Sequence, residues 1–306
     1  MRVIEKQNYI KRFLQYVWRY LKKYISLISY IRYYIFRPKL KDTNKKTGIT
    51  VSFTTYPARV KWLPVIVGSI IRQTMQPDRI VLYLSCEEFH NIDHKVFRQI
   101  REQGVQIELR EGNLRSHKKY IYAMKEFPED IIITVDDDII YDKNLIKDLY
   151  NSYLEHPRAV SAKRVHQMIF DKSGNIIPYD RWLIATKNLI NVESYALIAT
   201  GCGGILYPPH SLDERVFDSL AIKETCIKAD DLWLKIMELL RGTAVVLVKS
   251  NNYKLKHIWN TECEGLALDN VGTGENDKQL SNICHYFSLN LNQLVNQNGQ
   301  QGKDLI

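Results

Sequence analysis

Ile131-Ile132-Ile133-Thr134-Val135-Asp136-Asp137-Asp138 is the stretch that decides the fold. Its first five residues leave no polar face, so the strand they form must be covered on both sides, as a central strand of a parallel sheet is. Outward from it the pattern alternates. Lys118–Phe127 predicts a helix closed by the turn Pro128-Glu129-Asp130. Before it come a strand at Val105–Leu109, a helix over 93–103 stopped by Gly104, and a strand at Arg79–Leu84 after the turn Gln76-Pro77-Asp78. A helix at Leu63–Gln73 and a strand at Ile49–Thr54, ended by Pro57, complete the series. Strand and helix alternate four times in about ninety residues, the pattern of a doubly wound, mostly parallel α/β sheet.

In such a sheet, ligands bind beyond the carboxyl ends of the strands. Two ends stand out: Thr54-Thr55-Tyr56 and Asp136-Asp137-Asp138. Three adjacent carboxylates repel one another unless a cation intervenes. Hard oxygen ligands at this density suit Mn²⁺ or Mg²⁺, with phosphate oxygens of a substrate completing the shell. Side-chain alternation directs Asp136 and Asp138 to one side and Asp137 to the other. A solvated acidic turn is the competing reading, and the position at a central strand end favours the site.

A second acid pair, Asp230-Asp231, precedes the apolar run Leu232-Trp233-Leu234-Lys235-Ile236. Carboxylates in a first helical turn are favoured by the helix dipole, so capping and catalysis both remain open. Thr200-Gly201-Cys202-Gly203-Gly204 lacks the lysine of a phosphate-binding loop; its glycines allow a close backbone approach or a turn. His257, beside Trp259, is either a packed residue or a further metal or phosphate ligand. Asn276-Asp277, after Gly272-Thr273-Gly274, makes a turn or a loop closing over a ligand.

The 306 residues are 45% hydrophobic and 25% charged, which excludes collagen-like, disordered and disulfide-framed classes. Five cysteines, with no C-x-x-C pair, read as reduced thiols of a cytosolic chain without a zinc site. The net charge of +9 is unevenly placed. Residues 1–41 hold eleven Lys/Arg and one acid, leaving 32 bases and 33 acids in residues 42–306. A neutral body argues against a nucleic-acid partner, which needs clustered bases. The basic segment itself is amphipathic. At about 100° per residue, Ile10, Leu14, Val17, Leu21, Ile25 and Ile28 form one stripe, opposite Lys11, Arg12, Arg19, Lys22 and Lys23, with Tyr16, Trp18, Tyr20 and Tyr24 on the flanks. Such a helix suits an anionic membrane surface; packing on its own domain or on a second copy, as a homo-oligomer, is the other reading. Its longest uncharged run, Tyr24 to Ile31, is far short of the roughly 20 residues that span a bilayer. The resulting organisation is a basic helical segment at 1–41, a polar linker at 42–48 after Pro38, and a catalytic domain at 49–306.

The strand and acids of Ile131–Tyr141 resemble the D-x-D motif of GT-A-fold glycosyltransferases, particularly bacterial relatives of glycosyltransferase family 2. Ser52–Arg59 is similar to the nucleotide-binding start of those enzymes, and Lys118-Lys119-Tyr120 to a basic motif near the diphosphate. Thr200–Gly204 and Ala229-Asp230-Asp231 match the acceptor-side glycine loop and the catalytic-base motif, although many relatives carry Glu-Asp in place of Asp-Asp. The resemblance spans residues 49 to 241, with five motifs in family order. It implies a GT-A-like fold and a metal-dependent, inverting transfer of sugar from a nucleoside diphosphate, a UDP-sugar first, to a hydroxyl on a glycan or lipid-linked acceptor. It also implies a place in bacterial surface polysaccharide synthesis, peripheral on the inner face of the cell membrane. Carried over, Asp138, Asp136 and His257 would hold Mn²⁺ or Mg²⁺. Thr54, Thr55, Tyr56, Arg59, Lys119, Asp136 and Asp137 would meet the donor. Gly201, Gly203 and Gly204 would face the acceptor, and Asp231 or Asp230 would be the base. A nucleotidyltransferase and a non-catalytic scaffold in a membrane assembly are the competing functions.

Overall fold

The computed structural model describes residues 17, 20–21, 23–33, 35–41, 47–90, 92, 94–249, 255–259, 261 and 274–301. Ile10 and Leu14 of the predicted stripe, and most of the 42–48 linker, lie outside them.

The four predicted strands form at β1 (Ile49–Thr54), β2 (Arg79–Ser85), β3 (Val105–Arg110) and β4 (Ile131–Thr134). They pair in parallel in the order β3-β2-β1-β4. The intervening helices are α2 (Leu63–Ile71), α3 (Lys95–Glu102) and α4 (Lys118–Glu126). α2 ends two residues before the predicted Gln73, whose backbone N–H turns to the Ile70 carbonyl at 3.2 Å while its side-chain amide donates to the carbonyls of Ser69 at 3.0 Å and Asp142 at 2.7 Å. β4 is central, as its all-apolar run requires, but its second neighbour is antiparallel. β9 (Ile205–Tyr207) enters against both β4 and β5 (Val160–Ala162), and β10 (Val245–Leu247) and β7 (Glu193–Ser194) extend that edge. β6 (Val165–Gln167) and β8 (Leu197–Ala199) pair separately.

Alternation along β1 and β2 sends neighbouring side chains to opposite faces. Ile49, Val51, Phe53, Ile80, Leu82 and Leu84 join a core with α2, α3 and α5 (Leu145–Glu155). Val81 and Tyr83 turn to the other face, where α4 lies. That second face carries the larger core, built on α6 (Ser219–Thr225), α7 (Asp230–Arg241), α8 (Glu275–Tyr286) and α9 (Leu291–Gln301). The strand order reverses between β1 and β4, so their carboxyl ends open a crevice at a topological switch point.

The N-terminal segment contributes helix α1 over 23–33. α1 docks on the body through one narrow face. Tyr33 is 2% exposed and its hydroxyl donates to Gln103; the Ser26 hydroxyl accepts from the Trp259 N–H at 2.9 Å; Tyr30 meets Trp62 edge to face. The Tyr33 ring fits because residue 68 is glycine: a Cβ there would lie 1.9 Å from a ring carbon. Gly68→Ala is therefore expected to displace α1 and to lower stability by about 1–3 kcal/mol, read by urea unfolding. A variant as stable as the parent would show that α1 is not fastened at this point.

Candidate active site

β1 and β4 end side by side, with Ser52 level with Thr134. Beyond β4 the chain turns through Asp136-Asp137-Asp138, and beyond β1 through Thr55 and Tyr56 into the turn Pro57–Trp62. Asp137 is the buried member of the triplet. It accepts from the Thr55 hydroxyl at 2.6 Å and from Arg59 Nη1 at 2.5 Å. Arg59 Nη2 lies 3.2 Å from Asp138 and donates to the Thr261 carbonyl at 3.1 Å. Burial alone would weaken the Arg59 charge, but Asp137 and Asp138 outweigh it and hold the guanidinium protonated above its ordinary value. Thr54 donates to the Tyr83 carbonyl at 2.8 Å, and the Tyr56 ring centre lies 5.1 Å from the Arg59 guanidinium.

Lys119, in the first turn of α4, joins the strand end to the second acid pair. Its buried ammonium lies 2.7 Å from Asp136 and 2.9 Å from Asp230. Desolvation works against this charge, yet the surrounding aspartates raise its pKa well above that of a free lysine. The two acids that open α7 thereby acquire different characters. Burial would raise Asp230, but Lys119 and then His117 overcome it and keep that carboxyl low. Asp231 accepts a hydrogen bond from the Gly201 N–H at 3.0 Å. Its carboxyl is pushed up to about 8, first by burial and then by the neighbouring charge of Asp230.

Gly201 has a local reason to be glycine, since a Cβ there would lie 2.7 Å from Lys119 Nζ and 3.1 Å from an Asp136 oxygen. Gly203 packs against the Arg164 backbone, and Gly204 takes a left-handed φ of 81° against Leu145. Of the three glycines, Gly201 is the one that lies against the site's ion pairs.

These groups line one cavity of about 810 Å³, within the range of small-molecule sites. Thr54, Thr55, Tyr56, Arg59, Lys119, Asp136, Asp137, Asp138, Gly201, Asp230, Asp231 and His257 all border it, whereas Gly203 and Gly204 do not. His257 reaches it through an isolated antiparallel bridge to Ile139. Asn276 borders it from the start of α8, while Asp277 accepts from the Tyr179 N–H at 2.8 Å.

Residues 50–208 match the profile of glycosyl transferase family 2. The chain belongs to that family. No curated protein matches the chain. Among solved structures, S. aureus TarS 1-349 aligns over 80% of this chain and 73% of its own at 15% identity and a TM-score of 0.40. The same TarS fragment in complex with UDP aligns over 67% of this chain and 59% of its own, at 15% identity and a TM-score of 0.38. CMP:2-keto-3-deoxy-manno-octonic acid synthetase complexed with CTP aligns over 66% of this chain and 88% of its own, at 12% identity and a TM-score of 0.39.

Glycosyltransferases of family 2 commonly use a divalent metal. Among the described residues no three His, Cys, Asp or Glu side chains are arranged to hold one by themselves. The aspartates gathered at the end of β4 nonetheless offer hard oxygen ligands that suit a cation completed by substrate oxygens. Seven carboxylates border the cavity; Lys118 pairs with Glu88, while at the strand end and the α7 start Asp136, Asp137, Asp138 and Asp230 share ion pairs with Arg59 and Lys119. The Asp138 carboxyl is pushed up to about 7 first by burial, with Asp136 and Asp137 adding to the rise and Arg59 opposing it.

Several cavity residues have no sequence signal. His166 lies in three-residue β6 with Arg164 just before it, Tyr179 comes from a short turn, and Arg115 opens the 3-10 turn Arg115–His117 with a left-handed φ of 49°. Arg164 Nη1 donates to Thr200 at 2.8 Å, and His166 is held down to about 4 by burial and then by Arg164. A two-stranded ribbon of three residues per strand is too short for periodicity to reveal.

Lys119→Met would leave Asp136 and Asp230 without a counter-ion. The expected loss is about 3–5 kcal/mol of folding stability, measured by denaturant at neutral pH. The deficit should shrink as pH falls, because the stranded carboxyls then take up protons more readily folded than unfolded. An unchanged midpoint would remove Lys119 from its organising role.

Proposed function

We propose that this glycosyltransferase moves a sugar from a nucleoside diphosphate, a UDP-sugar first, to a hydroxyl acceptor with inversion at the anomeric carbon. The observation that carries the reading is the meeting of the β4 strand end and the α7 N-terminus across Lys119 on one cavity. Thr54, Thr55 and Tyr56 border the donor end of that cavity, and Asp136 and Asp137 complete it. Arg59 and Lys119 act chiefly by fixing these carboxylates, since their hydrogen bonds are already directed there.

Asp231 is the base of the reaction. It removes the acceptor hydroxyl proton while that oxygen bonds to the anomeric carbon and the bond to the diphosphate breaks on the opposite face. Its raised pKa makes it a stronger proton acceptor than a solvated carboxylate, whereas Asp230 is committed to Lys119. The Gly201 N–H orients Asp231. Asp138 and Asp136, with His257 beside them, would hold Mn²⁺ or Mg²⁺, which when bound offsets the charge of the departing diphosphate. The acceptor is a glycan or lipid-linked hydroxyl of a bacterial surface polysaccharide. The cysteines among the described residues are free thiols, which supports a cytoplasmic setting, with the enzyme peripheral on the inner face of the cell membrane.

The direct test is release of nucleoside diphosphate from a set of nucleotide sugars, with Mn²⁺, with Mg²⁺ and after chelation. Metal-dependent release is expected; release of pyrophosphate from a nucleoside triphosphate plus sugar would overturn the reading in favour of nucleotidyl transfer. Asp138→Ala should abolish metal-stimulated turnover with an unchanged unfolding midpoint, and full activity in that variant would remove the metal assignment.

Asp231→Asn should lower kcat by about 10²–10⁴ with donor affinity retained. Because the base works only as the carboxylate, log kcat should rise with pH and level off above about 8. The asparagine variant should lose that rise. If Asp230→Asn reproduces the whole effect and Asp231→Asn does not, the base is the other aspartate.

A further inference from the structure

The body-facing residues of α1 are Ser26, Tyr30 and Tyr33, which fall together on a wheel of about 100° per residue. The face directly opposite carries Tyr24, Ile28, Ile31 and Ile35, flanked by Leu21 and Leu27, and all six are exposed. Ile28 is 63% exposed and Ile35 is 65% exposed. Among the described residues, nine of the seventeen exposed large apolar side chains lie within residues 20–36. A surface helix that packs on its own domain normally turns its polar side outward; here the outward side is apolar. Lys23, Arg32, Arg37, Lys39 and Lys41 are exposed along or just after it.

We propose that the outward face of α1 inserts into the interface of an anionic phospholipid bilayer while its inner face stays docked on the catalytic domain. No helix among the described residues is long and apolar enough to cross a membrane, so α1 lies in the surface plane. Charge selects the occupant. Residues 1–41 carry eleven bases and one acid, so two copies meeting through this segment would repel, whereas an anionic leaflet attracts it. The proposal refines the peripheral location given above by naming the inserting face and the lipid, and it does not depend on the chemistry of the cavity.

The test is co-sedimentation of the full chain with phosphatidylcholine vesicles, with and without phosphatidylglycerol. Binding to the anionic vesicles only, weakened by salt, is expected. Ile28→Glu/Ile31→Glu should weaken it roughly tenfold or more, while the unfolding midpoint and turnover of donor in solution stay unchanged. Equal binding by parent and variant, or no binding to anionic vesicles, would overturn the proposal. So would a dimer in sedimentation equilibrium that the variant dissociates while neither protein binds vesicles. Turnover without vesicle binding would reject the docking face and leave the enzymatic reading standing; vesicle binding without turnover would do the reverse.

Discussion

The site depends on the two ion pairs of Lys119. Its ammonium is buried between Asp136, at the end of a strand, and Asp230, at the start of a helix almost a hundred residues later. A buried charge is tolerable only when paired at close range, so these contacts restrain α4, β4 and α7 against one another. Backbone joins the same junction, with Ser52 of β1 bonded to the Lys119 carbonyl and Gly201 so close that a Cβ there would push against the Lys119 ammonium. The cavity is shaped by what this one cation requires.

A consequence is that neighbouring residues of one type are made unlike. Asp230 and Asp231 follow each other in the first turn of α7, where the dipole favours both. Lys119 pairs directly with the first, whereas on the second its pull is outweighed by burial and a like charge beside it. The strand-end triplet divides in the same way: Asp137 is tied down by Thr55 and Arg59, Asp136 by Lys119, and Asp138 shares Arg59 at the longer distance of 3.2 Å. Proximity to two fixed cations, rather than residue type, makes these neighbouring acids differ.

The N-terminal helix shows the same economy of surfaces. Its sequence pattern supports either a membrane face or a packing face, and the folded chain packs one side of the helix and leaves an apolar side exposed. Tyr33 fills the space above Gly68, Ser26 meets Trp259, and the large aliphatic residues are left outside. Because α1 is anchored by a few polar and aromatic contacts, its apolar side chains are not consumed by the core.

Sequence alone determined the parallel half of the sheet and the positions of its acidic ends. β1, β2 and β4 are buried on both faces and read as β-branched, largely apolar runs, β3 is the part-exposed edge strand beside them, and the switch-point rule then points at Asp136–Asp138 and Thr54–Tyr56. It also supplied both candidate acids of α7 and the glycine stretch. Tertiary structure decided which acid meets Lys119, that Arg59 turns toward Asp137 and Asp138, and that Arg164, His166 and Tyr179 join the cavity. It likewise decided the antiparallel entry of β9 and which side of α1 faces out. Each of these rests on contacts between segments distant along the chain, carried by strands of three residues or by single side chains, where local patterning holds no information about the partner.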